Sequence, residues 1–458
     1  MKRPGGGAPA GLSATAALLM AGACEQARAI ATGRVAPDAL RQAQRDAIDV
    51  RGPGLNAYLA LTDVPFSPTG RPASAGPLWG SSFAVKDNID VAGLVTHAGL
   101  RAWGGVPAER DAPVVARLSA AGLACLGKAN MHPMALGATN RNPDFGDCAH
   151  PRAAGRTPGG SSGGSAALVA AGLCGLALGT DTMGSVRIPA AYCGVVGFKP
   201  SHGLLPLEGV VPLCRLLDHV GVLARRVEDV SAAMAAMRAD AGGTGAAAWS
   251  VASQPPGMPA RVAVLRDPRA AGADEAVARA FERALEALRA RTGWILEPVD
   301  LKDHDAAATR RAGLLLCEAE LHTLLGPLVD ADPQVLPPEL LAMMRYIAGR
   351  TAVDLGRALA QAGRAGERLD RLIEGFDALL LPTVPQPAFA MDGPVPPNQA
   401  DFTVLANMSG APALNLPLPV AADALPVGLQ LVGHRGHDAE LLALAAQAEA
   451  AIDGARSD

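Results

Sequence analysis

This chain of 458 residues has few aromatic residues and no excess of basic over acidic residues. Aromatic side chains make up 3% of the sequence, too few for the stacked rings of a platform that binds single-stranded nucleic acid. The 40 Lys and Arg residues are outnumbered by 44 Asp and Glu residues, which leaves a net charge of −4. No overall positive field therefore attracts nucleic acid or an anionic membrane.

The cysteines and histidines form no metal-binding or disulfide pattern. Seven cysteines are scattered along the chain without a C-x-x-C pair, and none of the nine histidines belongs to an H-E-x-x-H motif. His434 and His437 are spaced like a ligand pair, but no third ligand lies near them in the sequence. We therefore expect reduced, buried thiols in a cytoplasmic protein, with no metal site and no organic cofactor.

No apolar run reaches the length of about 18 residues that predicts a membrane span, so we expect no membrane association. Lys2 and Arg3 precede an uncharged stretch, Gly11 to Cys24, which resembles the apolar core of a secretory signal. We interpret this stretch as an alanine-rich helix that runs on into Glu25–Thr32. The alternative is an export signal within residues 1–29 that is removed from the mature protein.

Short apolar runs alternate with helix-like stretches and glycine turns along most of the chain. In the first half, strands are predicted at Phe83–Val85, Ala124–Leu126, Gly175–Leu178 and Val195–Phe198. In the second half, they are predicted at Arg261–Leu265, Trp294–Pro298, Leu379–Leu381 and Val427–Leu431. This alternation predicts the α/β class, with a central mixed, twisted sheet covered by helices on both faces of one large domain.

Two less regular segments suggest where this domain begins and how it is divided. Residues 1–70 are predicted to form a helical segment and a connector, ahead of a domain at 71–455. The small-residue stretch 242–259 is predicted to be a loop or linker between a core at 80–237 and a second half at 260–455. Because the two halves are alike in class, a single sheet shared by both is at least as well supported as two domains.

Two glycine-rich segments follow one another in the first half. Arg156-Thr-Pro-Gly-Gly-Ser-Ser-Gly-Gly-Ser165 directly precedes a helix-like run; a flexible linker is the alternative, but glycines at a helix N-terminus leave N–H groups free for anionic atoms. Gly179-Thr-Asp-Thr-Met-Gly-Ser-Val-Arg187 follows an apolar strand. Consecutive N–H groups in such a turn are typical of an anion nest or an oxyanion hole.

A lysine directly follows the first predicted strand. Lys86 comes after Phe83-Ala-Val85, and a lysine that points into a sheet is unfavourable unless it is paired or neutral. Burial lowers the pKa of a lysine, and a neutral lysine can accept a proton. From this segment alone, a lysine that reaches solvent is the alternative.

Together these segments resemble the amidase signature family. The resemblance extends over nearly the whole chain from about residue 25. Besides Lys86 and the two glycine-rich segments, it includes Gly127-Lys-Ala-Asn-Met131, Cys193-Gly-Val-Val-Gly-Phe-Lys-Pro200, Gly410-Ala-Pro-Ala-Leu-Asn-Leu-Pro417 and Leu425-Pro-Val-Gly-Leu-Gln-Leu-Val-Gly433.

The resemblance implies a catalytic triad of Lys86, Ser161 and Ser185. Ser185 matches the serine that is the nucleophile in the family. A serine hydroxyl attacks well only when a neighbouring base removes its proton. Ser161, which follows a cis peptide bond in the family, would relay that proton. Lys86 would be the terminal base.

The resemblance also implies which groups surround the triad. Oxyanion-binding N–H groups are expected at Thr182, Met183, Gly184 and Ser185. Supporting hydrogen bonds and a buried ion pair that brace the loop are expected from Ser162, Asp181 and Arg187. A solvent-facing Arg187 is the alternative to the ion pair.

Position 183 departs from the family pattern, which usually has glycine where this chain has Met183. The backbone N–H is retained, but a flexible side chain is added beside it, and a positive φ at this position would be strained. We expect an altered or narrower acyl pocket. By family position, the resemblance implies that its walls include Met131, His132, Ala135 and helices within 305–376, with His132 as part of the wall or of the surface rather than as a base.

The leading hypothesis is an amidase that hydrolyses the C–N bond of a small carboxylic amide, through a seryl acyl-enzyme, to acid and ammonia or amine. Its expected partner is the small-molecule substrate, without direct contact to nucleic acid, and association into a homo-oligomer is left open. The alternative is the glutamine-hydrolysing component of a tRNA-dependent amidotransferase, its A subunit, which requires other subunits. A non-catalytic member that only binds a ligand is a third hypothesis.

Overall fold

Eleven strands form one sheet in the computed structural model, which describes residues 10–62, 72, 75–238, 259–301, 304–332, 334–421 and 424–455. The strands β1 to β11 are Tyr58–Leu61, Ser82–Lys86, Ala124–Ala129, Leu176–Asp181, Val196–Lys199, His219–Ala224, Arg261–Leu265, Ile295–Val299, Ala378–Pro382, Ala413–Pro417 and Gly428–Val432. The helices α1 to α13 are Ala10–Leu19, Ala23–Ala31, Pro37–Leu55, Pro113–Ala120, Gly163–Ala170, Arg187–Cys193, Val227–Arg238, Glu275–Arg291, Ala306–Ala331, Pro338–Ala348, Ala352–Leu372, Val404–Met408 and Asp438–Gly454.

Both halves of the chain contribute to this single sheet. The strand order is β1-β3-β2-β4-β6-β5-β10-β11-β9-β7-β8. Strand β2 runs parallel to β3 and β4, whereas β6 pairs antiparallel with both β4 and β5. The halves meet where β5 pairs antiparallel with β10. The predicted α/β class and mixed sheet are therefore confirmed.

Helices cover both faces of the sheet, as the alternation along β2 illustrates. Phe83 and Val85 pack into an apolar cluster that includes residues of α7, α8 and α13. Ala84 packs into a second cluster, with residues of α5 and α6. Because successive residues of a strand point to opposite faces, Lys86 lies on the same side as Ala84, beneath α5.

A third apolar cluster joins the helices of the second half to loops of the first. Helix α9 packs against α10, α11 and α12, and Leu316 and Leu321 of α9 are buried with Ala135, from the loop after β3. Met183, from the loop after β4, packs against the same cluster. Among the described helices, α9 alone has the length and composition of a membrane-crossing helix, although charged residues interrupt its apolar sequence.

Some predicted boundaries differ from the observed ones, and others are untested. The N-terminal helical region has a break between α1 and α2 that was not predicted, and Asp229 of α7 accepts the Cys24 N–H of α2 at 2.8 Å. This tertiary contact satisfies one N–H at the start of the helix, which the local sequence could not indicate. Within the predicted linker 242–259, residues up to 258 lie outside the described part of the chain, so the domain boundaries remain predictions.

Candidate active site

The predicted site residues lie at one edge of the sheet. Strands β2, β3 and β4 are parallel, so their carboxyl ends meet at the same edge, where open α/β sheets place their ligand sites. Lys86 is the last residue of β2, and Asp181 is the last residue of β4. Ser161 and Ser162 directly precede α5, which begins at Gly163.

Lys86 is fully buried and contacts Ser161 directly. Its Nζ lies 2.7 Å from Ser161 Oγ and 2.7 Å from Thr180 Oγ1. The alternative of a solvent-exposed lysine is therefore wrong. Burial lowers the pKa of Lys86 to about 7, although the carboxylates of Asp181 and Asp218 act in the opposite direction. Near neutral pH a large fraction of this amine is uncharged, and its lone pair can accept a proton from Ser161.

Ser185 lies at the edge of a cavity, next to the segment that carries Ser161. The Ser162 N–H donates to the Ser185 carbonyl at 3.2 Å, and the peptide bond between Gly160 and Ser161 is cis. The Ser162 hydroxyl donates to the Thr180 carbonyl at 3.2 Å, which attaches this segment to β4. Within the described residues, no hydrogen bond joins the hydroxyls of Ser161 and Ser185.

A buried ion pair braces the loop that carries Ser185. Arg187 is fully buried, and it donates from Nε and Nη2 to the two carboxylate oxygens of Asp181 at 3.0 and 2.9 Å. It also donates to the Thr403 carbonyl at 2.9 Å and to the side-chain oxygens of Gln430 and Asn407, both at 2.6 Å. Burial alone would raise the pKa of Asp181, but the Arg187 guanidinium holds it well below its usual range. The solvent-facing alternative for Arg187 is wrong.

The four N–H groups predicted for the oxyanion lie in the loop after β4, and they differ in their hydrogen bonds. The Gly184 N–H donates to Asp181 Oδ1 at 2.8 Å, so Gly184 is removed from the predicted set because that donor already serves the carboxylate. The N–H groups of Thr182, Met183 and Ser185 donate to no acceptor within the described residues. The positive φ of this turn, +128°, falls on Gly184 and not on Met183, so the backbone strain considered for Met183 does not arise.

Asp218 supports this loop, and no motif in the sequence pointed to it. Its Oδ1 accepts the Thr182 hydroxyl at 2.5 Å, and its Oδ2 accepts the N–H groups of Leu213 and Cys214 at 2.9 and 3.0 Å. Burial raises the pKa of Asp218 to about 6. Thr180, which contacts Lys86, was also missed, although it lies inside the second glycine-rich segment.

A cavity of about 450 Å³ opens beside Ser185. His132 and Ala135 line it, as predicted, and burial lowers the pKa of His132 to about 4, so this side chain is neutral near pH 7. Met131 does not line the cavity, because its side chain is fully buried in the third apolar cluster. Other lining residues come from the loop after β4, from α6 and from the helices of the second half, including Thr182, Met183, Ile188, Arg310, Arg311, Leu314, Cys317 and Met343.

Comparison with known proteins identifies the family. The family model described as Amidase matches residues 67–442. The chain belongs to the amidase signature family. Members of this family cleave amide C–N bonds by hydrolysis, and the chain is an enzyme of that class.

Three of the proteins found by these comparisons are similar to this chain over most of its length. The glutamyl-tRNA(Gln) amidotransferase A subunit from Thermus thermophilus is 35% identical, over 90% of this chain and 93% of the relative. A crystal structure of an amidase is 31% identical with a TM-score of 0.83, covering 94% of this chain and all of the other. A 6-aminohexanoate cyclic dimer hydrolase is 26% identical with a TM-score of 0.80, covering 95% and 97%.

Proposed function

We propose that this chain hydrolyses a carboxamide through an acyl-enzyme on Ser185. The observation that carries the proposal is the 2.7 Å contact between Ser161 Oγ and the fully buried Lys86 Nζ. A lysine whose pKa lies near neutrality is a suitable general base, because it is largely free of its proton yet still basic enough to take one.

The proton follows the line from Ser185 to Ser161 to Lys86. As Ser185 Oγ attacks the carbonyl carbon, Ser161 takes its proton and passes its own to Lys86. When the C–N bond breaks, a proton returns along the same line to the leaving nitrogen, which departs as ammonia or amine. A water molecule then attacks the ester carbon and gives its proton to the same relay. The bond between Ser185 Oγ and the acyl carbon breaks, the proton returns to Ser185 Oγ, and the acid leaves.

The developing negative charge on the carbonyl oxygen needs donors that are already in place. The N–H groups of Thr182, Met183 and Ser185 support this role, because preorganised backbone donors stabilise charge that appears in the transition state. The Thr182 hydroxyl bonded to Asp218, and the ion pair below the loop, hold these donors in position. Removal of one such donor typically lowers kcat by about 10²–10³.

For the substrate, we propose glutamine, with the chain acting as the A subunit of a tRNA-dependent amidotransferase. Curated relatives that carry this name are 31–35% identical to the chain, and the similarity to that of Thermus thermophilus covers most of both proteins. This similarity favours the A subunit of an amidotransferase, which was the alternative from the sequence, over the stand-alone amidase, which was the leading hypothesis. An A subunit implies partner subunits that receive the ammonia, and a tRNA that they bring to the complex.

A stand-alone amidase is the second candidate. It is favoured by the similarity to a crystallised amidase that the chain covers completely. The side chain of Met183, at a position where the family usually has glycine, also favours a substrate pocket of a different shape. Under this candidate the enzyme needs no partner and accepts a small amide other than glutamine.

Release of ammonia from glutamine and from a panel of small primary amides tests both candidates. The purified chain would be compared with the complex that forms around it in its native cells. Ser185→Ala and Lys86→Ala should each abolish release, while Ser119→Ala, on the exposed surface of α4, should not change it. Full activity of either site variant would overturn the mechanism. Glutamine hydrolysis that requires a copurified partner favours the amidotransferase, whereas hydrolysis of other amides by the chain alone favours the amidase.

For the location, the cytoplasm remains our proposal. The intact mass of the protein purified from its native cells provides the test. A mass that lacks residues from the segment 1–29 would instead support export.

A further inference from the structure

We infer that Met183 and Gly313 together set the size of the acyl group that fits beside Ser185. The inference rests on the proposed function, because it takes Ser185 as the residue that carries the acyl group. It adds a determinant of substrate size, formed by one residue from the loop after β4 and one from helix α9.

The cavity beside Ser185 is bounded by both of these elements. Met183 and Ser185 line it from the loop, and Arg310, Leu314 and Cys317 line it from α9. In an α-helix, residues at i, i+3, i+4 and i+7 share one face. Residue 313 therefore lies on the face of α9 that is turned toward the cavity.

The end of the Met183 side chain packs against Gly313, in space that a larger residue at position 313 would need. A Cβ atom added at Gly313 would lie 3.1 Å from Met183 Sδ and 3.2 Å from Met183 Cε. It would also lie 2.7 Å from Met408 Cε, another side chain of this cluster. Glycine is unfavourable inside a helix, so its presence in the middle of α9 is explained by this close approach.

The backbone of Met183 is fixed, so the side chain has few places to go. The Thr403 hydroxyl donates to the Met183 carbonyl at 2.7 Å. The next residue is equally confined, because a Cβ atom at Gly184 would lie 2.3 Å from Thr403 Oγ1. The loop cannot move away from α9 without losing these contacts, and Met183 can change position only by rotating about its own side-chain bonds.

Two opposite substitutions follow from this arrangement. Removing the Met183 side chain adds its volume to the cavity beside Ser185 and makes room for a longer acyl group. Adding a methyl group at Gly313 takes away the space in which Met183 rests and pushes its end toward the cavity. The two changes are coupled, because the second acts on the cavity through the side chain that the first removes.

Labelling of Ser185 by two alkyl fluorophosphonates, one with a methyl and one with an octyl group on phosphorus, tests this inference. The alkyl group occupies the place of the acyl group, so the ratio of the two labelling rates measures pocket size without knowledge of the natural amide. The variants are Met183→Gly, Met183→Ala, Gly313→Ala and the double variant Met183→Gly/Gly313→Ala. Gly363→Ala is the matched control, because Gly363 is in a helix and has no atom within 4 Å of an added Cβ.

Met183→Gly should raise the octyl-to-methyl ratio by about 10-fold or more, since one methylene in an apolar pocket changes discrimination by about 10–200-fold. Met183→Ala should shift the ratio in the same direction. Gly313→Ala should lower it, and the effect of Gly313→Ala should largely disappear in the Met183→Gly background. The control should leave the ratio unchanged.

Labelled Ser185 with an unchanged ratio in Met183→Gly and Met183→Ala would overturn the inference and leave the proposed function intact. An equal effect of Gly313→Ala in both backgrounds would also overturn it, because Met408 alone would then account for the change. No label on Ser185 in any variant would overturn the proposed function, and with it this inference.

Discussion

Acidification should remove the activity by protonating Lys86. Burial lowers the pKa of this residue from 10.5 to about 7, and only the neutral amine can accept the proton from Ser161. Below the pKa, each pH unit reduces the neutral fraction about tenfold. The kcat/KM should therefore reach a plateau above pH 8 and be about 100-fold lower at pH 5. Without the effect of burial, the same decline would be centred near pH 10.5.

The measurement is kcat/KM between pH 5 and 9 at constant ionic strength, with circular dichroism to confirm that the protein remains folded. Burial also brings the pKa of two carboxyl groups near the site into this range: that of Glu318, which follows the lining residue Cys317, to about 7, and that of Asp218 to about 6. Burial raises the pKa of Glu449 to about 7 as well, but Glu449 does not line the cavity. The variants Glu318→Gln and Asp218→Asn control for the two groups near the site. Glu318→Gln should leave the midpoint of the decline near pH 7. Asp218→Asn should lower the plateau, since Asp218 holds Thr182, and should move the midpoint to lower pH, because it removes a carboxylate that raises the pKa of Lys86.

Two results would refute the reasoning. The first is a rate that does not change between pH 5 and pH 8, because it would mean that no group in the free enzyme must lose a proton in this range. The second is a decline that disappears in Glu318→Gln, because the titrating group would then be Glu318 and not Lys86.

Three further predictions concern stability and the loop. Arg187→Met should lower the free energy of unfolding in urea by about 3–5 kcal/mol, because it leaves a buried carboxylate without its cation; Arg269→Ala, which removes an exposed pair with Glu275 and Glu282, should cause a much smaller change. Gly184→Ala should reduce kcat without a large change in KM, because the added Cβ collides with Thr403 Oγ1, and a wild-type rate would contradict this. Between about pH 7 and 10.5, Lys86 is protonated in the unfolded chain and neutral in the folded one. As pH rises through this range, the parent should therefore gain stability relative to Lys86→Met by up to ~1.4 kcal/mol per pH unit in thermal unfolding; a constant difference would contradict the lowered pKa.

Much of the fold could be predicted because its strands are short apolar runs between glycine turns. The predicted strand at Arg261–Leu265 has the observed bounds of β7, and Trp294–Pro298 is shifted by only one residue from β8. The strand at His219–Ala224 was missed. It begins with a buried histidine and contains a glycine, and its strand conformation depends on pairing with β4 and β5.

The parts of the candidate site that lie in short continuous segments of the sequence could be predicted. The parts that form only when residues far apart in the chain meet could not. Ser161, Ser185 and Arg187 lie in compact glycine-rich segments whose composition indicates tight turns. Asp218 has no such context, because it acquires its role only when the loop before β6 folds against Thr182. The resemblance to the family placed Met131 in the pocket wall, but its side chain is buried in the third apolar cluster.

The hydrogen bonds of Arg187 join the loop that carries Ser185 to residues of the second half of the chain. The three acceptors of Arg187 outside its own loop, at Thr403, Asn407 and Gln430, lie 216 to 243 residues away. In the proposed mechanism the first half carries every reacting group, and residues of the second half hold the loop that carries Ser185. A fragment that ends at residue 238 would contain Lys86 and both serines and be inactive by itself, whereas adding the separate fragment 259–458 should restore activity by reassembling the shared sheet.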